Sequence, residues 1–276
     1  MNLFEAFLYG AVQGITEYLP VSSSAHLILL PKFLGTQDPG LTFDVFLHIG
    51  TLFSTLIYFR ADWWAVLQDF LTDFRKIFGR AGAVSSSGSG PRAVQGLVSW
   101  RMIALATIPA LAAGALLKPL IETVFRGVDV IAWALIVGGV LLFFVDRFSR
   151  GTRDLGQAGF RDALGVGLAQ CLSLVPGMSR SGSTMIGGRL MGLDRYSAAR
   201  FSFLISAPVT LAAIIFELRH WGELVSGAVG LAPLMVALLS SFVFGMLAIG
   251  GLLRILRRFG FLGFAVYRVV LGAFLL

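Results

Sequence analysis

Two short polar stretches interrupt an otherwise apolar chain. The first, QGITEYLPVSSSAHL (13–27), carries Gln13, Glu17, Ser22, Ser23, Ser24 and His26. The second, LVPGMSRSGSTMIGG (174–188), carries Ser179, Arg180, Ser181, Gly182, Ser183 and Thr184. Gln13 and Glu17 are four apart and share a helix face. The serine run follows a break at Pro20, and a helix starting at Ser23 sets His26 on the same face one turn on. In the second stretch the hydroxyls and Arg180 open a helix just after Pro176-Gly177. Two half-helix N-termini aimed at one place form an anion site, because unpaired N–H groups and positive dipole ends converge. Arg180 adds a planar fork that can grip two phosphate oxygens. An uncompensated arginine at a membrane midplane costs at least ~2.5 kcal/mol. Glu17 would offset that charge in the resting state, and a phosphate in the loaded one. The same residues also fit blander roles: Ser22 and Ser24 as helix caps, His26 as a satisfied interior group, and Arg180 as a tie between two hairpins through Glu17.

The surroundings are lipid-like. Hydrophobic residues make up 57% of the chain and charged residues 13%, and mean hydropathy is +0.84. A soluble domain is nearer half apolar and a quarter charged. Continuous apolar runs of about 20 residues match a hydrocarbon core ~30 Å thick and argue against a barrel. The amino-terminal MNLFEAF carries Glu5 and no basic run, so no cleavable signal peptide is expected. The single cysteine, Cys171, reads as packing. The net charge of +7 sits mainly in loops, which points to membrane orientation and not to nucleic acid.

The two polar stretches are also related to each other. At an offset of 157 residues, Gly10 meets Gly167, Gln13 meets Gln170, Ser22 meets Ser179, Ser24 meets Ser181 and Gly35 meets Gly192. FDVFLHIGTLFSTLIYF (43–59) then resembles FSFLISAPVTLAAIIFE (201–217), and each half continues with two more apolar segments: 100–117 and 130–146, then 232–253 and 260–276. The chain therefore reads as a duplication, 1–150 and 151–276, within one structural domain. Each half opens with a broken element. A helix from about Asn2 stops before Pro20, and 162–175 is too short to cross before Pro176-Gly177. Broken helices at matching places in two repeats point to a midplane site. Three full spans per half is an odd number, so the second copy inserts upside down. With 60–101 in the cytoplasm, most basic residues fall inside and only Lys32, Lys118, Arg126 and Arg219 fall outside. The expected fold is an all-α polytopic membrane protein with an inverted-topology repeat: six full spans plus two re-entrant helical hairpins meeting near the midplane. Residues 61–78 have helical apolar spacing and two tryptophans, as in a helix lying on the cytoplasmic surface. The Gly/Ser-rich stretch 79–90 reads as a linker, giving a non-spanning insertion over 61–99.

QGITEYLPVSSSAHL and PGMSRSGSTMIGGRLMGLDR resemble the two signature regions of the undecaprenyl pyrophosphate phosphatase family, the bacitracin-resistance type. FDVFLHIGTL and the terminal YRVVLGAFLL extend the similarity over nearly the whole chain. The family's (Glu/Gln)-x-x-x-Glu motif falls on Gln13 and Glu17, its PGxSRSxxT motif on Pro176 to Thr184, and its serine and histidine on Ser23 and His26. Glutamine at position 13 removes one carboxylate found in other versions. The resemblance implies hydrolysis of the lipid pyrophosphate to lipid monophosphate and phosphate, recycling the carrier for cell-wall synthesis. It implies a bacterial inner membrane, a cavity open to the periplasmic face, and a divalent cation, Mg²⁺ or Ca²⁺. On this basis Arg180, Ser179, Ser181, Gly182 and Thr184 bind phosphate, and Glu17 with Gln13 binds the metal. The catalytic set is Ser23, His26, Glu17 and Arg180. The attacking group is Ser23 with His26 as its base, or His26 itself, or an activated water.

Asp44 and His48 are expected to satisfy each other on one helix, and Arg268 to pair with Asp44 or brace the second hairpin. The competing class is a carrier or flippase for a lipid phosphate or anion, since broken inverted repeats also build transporters. The partners are a polyprenyl pyrophosphate and the bilayer; a homodimer is compatible with the sequence, and nothing in it fixes one.

Overall fold

The structure is a computed structural model and describes residues 1–78, 98–123, 127–218, 221–222 and 229–276. The linker 79–90 lies outside the described residues, as do Arg126 and Arg219. The described residues are helical throughout, apart from loops and one isolated bridge between Arg153 and Leu193.

The first polar stretch breaks where its residues dictate. Helix α1 (Leu3–Tyr18) starts with a capping box between Asn2 and Glu5. It ends ahead of Pro20, which disfavours α backbone in the residue before it. α2 (Ser23–Leu34) restarts at once, capped by Ser22, and closes on Gly35 in the left-handed region. Ser22, not Ser24, is the cap; Ser24 lies inside the helix with its Oγ 3.2 Å from that of Ser22.

α3 (Leu41–Tyr58), α5 (Trp100–Thr123) and α6 (Val128–Phe148) follow, with α4 (Arg60–Phe78) between the first two. Leu67, Phe70 and Phe74 of α4 are exposed, an apolar edge suited to a membrane surface. Its polar edge is tied down: Asp62 to Arg200, and Asp73 to the Trp100 indole and Arg101.

In the second stretch, α7 (Phe160–Gln170) tightens into a 3₁₀ turn at Cys171–Leu174 before Pro176-Gly177. α8 (Arg180–Leu190) then restarts from its cap, Ser179. α9 (Arg195–Glu217), α10 (Leu231–Leu256) and α11 (Leu262–Leu275) complete the chain.

Among the described residues, five helices have the length and hydropathy to cross a membrane: α3, α5 over Trp100–Leu117, α6, α9 and α10. The sixth expected span, α11, has 14 residues, about 21 Å of helix against a hydrocarbon core of ~30 Å. α1 and α3 press closely on α10. A Cβ on Gly14 would lie 2.6 Å from the Ser241 carbonyl oxygen, and one on Gly50 would lie 2.7 Å from that of Leu238. The same close approach puts α1, and the break that ends it, beside the centre of the bundle.

Candidate active site

The two breaks share a local geometry. Ser22 (φ 74°) and Ser179 (φ 66°) are the two non-glycine residues with positive φ among the described residues. Both cap a helix, the Ser22 Oγ accepting from the Ala25 N–H at 3.5 Å and the Ser179 Oγ from the Gly182 N–H at 3.1 Å. Both also pair with the serine two residues on, at 3.2 and 3.1 Å. Positive φ outside glycine is uncommon and costs energy, and such strain clusters at functional sites.

The tips touch. Ser181 Oγ donates to the Leu19 carbonyl at 3.0 Å. Arg268 of α11 is fully buried and donates to Gly177 (3.0 Å) and Met178 (2.9 Å) in one tip and to Pro20 (3.4 Å) in the other. Its guanidinium fits because Gly182 and Gly138 lack side chains; a Cβ on Gly182 would lie 2.7 Å from Nη1. Arg268 thus braces both hairpins through carbonyls and does not pair with Asp44.

Between the tips lies a cavity of about 210 Å³ lined by Glu17, Ser22, Ser23, Ser24, His48, Ser173, Ser179, Arg180, Val209, Thr210 and Ala213. Glu17 is its hub. One carboxylate oxygen pairs with Arg180 Nη2. The other accepts from Ser23 Oγ at 2.6 Å and from Gln13 Nε2 at 3.1 Å, and faces His48 Nε2 at 3.6 Å. Arg180 Nη1 is held by the Ser206 carbonyl (3.0 Å) and Thr210 Oγ1 (2.6 Å), which aims the fork into the cavity. Hydrogen bonds to charged groups are the strong ones, so Glu17, Ser23 and Arg180 form a preset unit. Gln13 is fully buried behind Glu17, and its Oε1 lacks a hydrogen-bond partner.

The expected residues divide. Glu17, Ser23, Arg180 and Ser179 come together at the cavity. His26 does not reach Ser23. Its Nδ1 lies 2.8 Å from the Ser22 carbonyl and its Nε2 lies 2.6 Å from the Tyr267 hydroxyl, with the two rings stacked. Both ring nitrogens are engaged, so His26 has no site left for the Ser23 proton in this arrangement. Ser181 and Gly182 face the opposite tip and Arg268. Thr184 turns to α9, bonding Ser202 Oγ at 2.6 Å.

Sequence reasoning missed three polar lining residues, His48, Ser173 and Thr210. His48 Nδ1 takes the main-chain oxygen of Asp44 at 2.7 Å, not its carboxylate, which turns Nε2 to Glu17. Spacing on one helix carries no signal for that rotation. Thr210 looks like any hydroxyl in an apolar span, and the proline two residues before it, Pro208, is the one local hint.

Residues 6–274 match the family model described as bacitracin resistance protein BacA. A protein of Gemmatimonas aurantiaca named undecaprenyl-diphosphatase is 47% identical, over 99% of this chain and 96% of its own length. One of Idiomarina loihiensis with the same name is 40% identical, over 100% of this chain and 98% of its own. With that coverage, and both signature stretches gathered at one buried ion pair, the chain belongs to the bacitracin resistance protein BacA family.

Proposed function

We propose that this chain hydrolyses undecaprenyl pyrophosphate to undecaprenyl phosphate and inorganic phosphate, recycling the lipid carrier used in cell-wall synthesis. The observation that carries the reading is the 2.6 Å hydrogen bond from Ser23 to Glu17 beside the Glu17–Arg180 pair. A serine held against a carboxylate and next to a guanidinium is an activated nucleophile beside a phosphate clamp. The two relatives named undecaprenyl-diphosphatase match over 96% and 98% of their own length.

In this reading Arg180 and Ser179 hold the terminal phosphate. Ser23 Oγ attacks its phosphorus while the hydroxyl proton passes to Glu17. The bond from that phosphorus to the bridging oxygen breaks, and the lipid monophosphate leaves with the oxygen. Water then cleaves the phosphoserine, which restores the Ser23 hydroxyl and releases phosphate, and Glu17 loses its proton to the departing products. Ser23 with Glu17 replaces Ser23 with His26 because the carboxylate is in reach and the imidazole is engaged elsewhere. His26 then serves to hold the α2 start against α11.

The oxygen donors around Glu17 suit a hard cation. No cluster of three His, Cys, Asp or Glu side chains stands among the described residues. Glu17 and the unpartnered Gln13 Oε1 are the groups that would hold Mg²⁺ or Ca²⁺, with phosphate oxygens and water completing the shell. Such an ion would neutralise charge on the two phosphates.

The same reading places the two halves, 1–150 and 151–276, as an inverted duplication in a bacterial inner membrane, with six spans and two re-entrant hairpins. The matched strained caps support it. So does the antiparallel course of α3 and α9: the start of α3 meets the end of α9 through Thr42 and Glu217 at 2.8 Å. The cavity then opens to the periplasmic face, away from the basic end.

The test is phosphate release from a prenyl pyrophosphate by the purified protein in detergent. Release by the wild type that is lost in Ser23→Ala and Arg180→Ala is the expected result. Undiminished release by both variants overturns the site. Transbilayer movement of lipid phosphate with no release by the wild type favours the carrier.

A further inference from the structure

At the opposite end of the bundle from the Thr42–Glu217 contact, the ends of α6, α8 and α10 and the start of α9 border a second, larger cavity that is open at the surface. It measures about 570 Å³, and its lining includes Arg150, Arg189, Asp194, Arg195, Tyr196 and Arg257. A groove of about 700 Å³ shares residues 149–152 with it and continues along Phe144, Val145, Phe148 and Leu190. Phe144, Phe148 and Leu190 are 50%, 69% and 60% exposed, so this part of the groove is apolar and uncovered.

Most of the charge in the cavity is spoken for, and the remainder is positive. Arg189 is buried and bonds the carbonyls of Ser149, Gly151 and Leu193. Arg195 pairs with Asp146 at 2.6 Å. Asp194 caps α9, accepting from the Ser197 N–H and hydroxyl. Arg150 and Arg257 are exposed and have no acidic partner among the described residues. Arg257 is nonetheless held in place, its guanidinium 4.9 Å from the centroid of the Tyr196 ring. Two cations at the mouth of a polar cavity, joined to an exposed aromatic groove, fit a molecule with an anionic head and an apolar tail.

We propose that this end of the bundle binds one anionic phospholipid, with its headgroup phosphate between Arg150 and Arg257 and an acyl chain along Phe144, Phe148 and Leu190. Basic pockets between membrane helices hold acidic headgroups by the same physics. α8 links the two cavities: Leu190 at its end lines the groove and Arg180 at its start lines the catalytic site. A lipid seated there therefore stiffens the helix that carries the phosphate clamp.

The experiment compares the full chain in detergent with two double variants of equal charge. Arg150→Gln/Arg257→Gln strips the cavity; Arg254→Gln/Arg258→Gln strips two exposed arginines of the same region that do not line it. Added phosphatidylglycerol is expected to raise the unfolding midpoint of the wild type and of the Arg254/Arg258 variant alike. The Arg150/Arg257 variant should need about 30-fold more lipid, from roughly 1 kcal/mol per arginine near a membrane surface. Arg150→Gln alone should need about fivefold more by the same arithmetic, should the double variant not fold. Lipid binding at the catalytic cavity is common to all variants and cancels. Equal shifts with phosphatidylcholine, equal losses in both double variants, or a full shift with inorganic phosphate alone would each overturn the proposal.

Discussion

Replacing Glu17 by glutamine separates the proton acceptor from the shape that surrounds it. The carboxylate now takes Arg180 on one oxygen, and Ser23 (2.6 Å) and Gln13 (3.1 Å) on the other. An amide has one acceptor oxygen. Turning its NH₂ toward Arg180 would set donor against donor, so the oxygen stays with Arg180 and the nitrogen faces Ser23 and Gln13, whose amide turns so that its unpartnered Oε1 accepts. Ser23 then accepts a hydrogen bond where it used to donate one, and its proton has nowhere to go. General-base assistance contributes roughly 10²–10⁴ in rate, so kcat should fall by about that factor, or ~3–5 kcal/mol in barrier. Breaking a buried ion pair outright costs ~3–5 kcal/mol of stability. Glu17→Gln should sit at the lower end, because Arg180 keeps the amide oxygen, Ser206 and Thr210. The assay is phosphate release at saturating prenyl pyrophosphate, with the unfolding midpoint measured on the same samples. Ser23→Ala should lose a similar factor, and the double variant should be no slower than the worse single, since groups acting as one unit are strongly non-additive. A Glu17→Gln enzyme within threefold of the wild-type kcat, or a double variant whose loss is the product of the two singles, would refute the Ser23–Glu17 proton transfer.

Tyr267→Phe removes the 2.6 Å bond to His26 but leaves the stacked rings; the loss should be ~1 kcal/mol, so phosphate release should drop less than tenfold. A loss as deep as that of Ser23→Ala would return His26 to the proton path. Gly14→Ala drives a Cβ to 2.6 Å from the Ser241 carbonyl and 2.7 Å from the Gly245 nitrogen. Backbone on both sides cannot yield, so the unfolding midpoint in detergent should fall by the equivalent of ~1–3 kcal/mol. Asp146→Asn weakens the buried carboxylate that holds Arg195 at 2.6 Å and the Phe261 N–H at 3.0 Å, with Arg189 at 3.6 Å. A destabilisation of ~3 kcal/mol is expected, and an unchanged midpoint would show that the network is dispensable.

Several features could be read from adjacent residues alone. Pro20 stops α1 because its ring constrains the residue before it. Ser22 and Ser179 restart helices because a short hydroxyl side chain satisfies the free N–H groups of a first turn. The pairing of Glu17 with Arg180 followed from the need to compensate a charge in lipid. These inferences hold because their causes lie within a few residues, or in the solvent that the composition implies. The length of α11 was less legible: 260–276 is apolar throughout, yet the helix begins at Leu262 and runs 14 residues.

The histidines show where that kind of inference ends. His26 and Ser23 share a helix face, but the imidazole swings to Tyr267, 241 residues away in the chain. His48, paired on paper with the Asp44 carboxylate, bonds the Asp44 carbonyl and turns its far nitrogen to Glu17. Of the two roles open to Arg268, bracing the second hairpin holds and pairing with Asp44 does not: it bonds carbonyls of both tips, because Gly138 and Gly182 leave room for its guanidinium at that spot. The membrane setting, the two helix breaks and the family to which the chain belongs are legible in the order of residues, since composition, local backbone sterics and contiguous motifs are written along one dimension. Which imidazole meets the carboxylate, which hydroxyls line the cavity and what satisfies Arg268 depend on how the helices pack. A side chain's rotamer is chosen by neighbours that packing brings from distant helices.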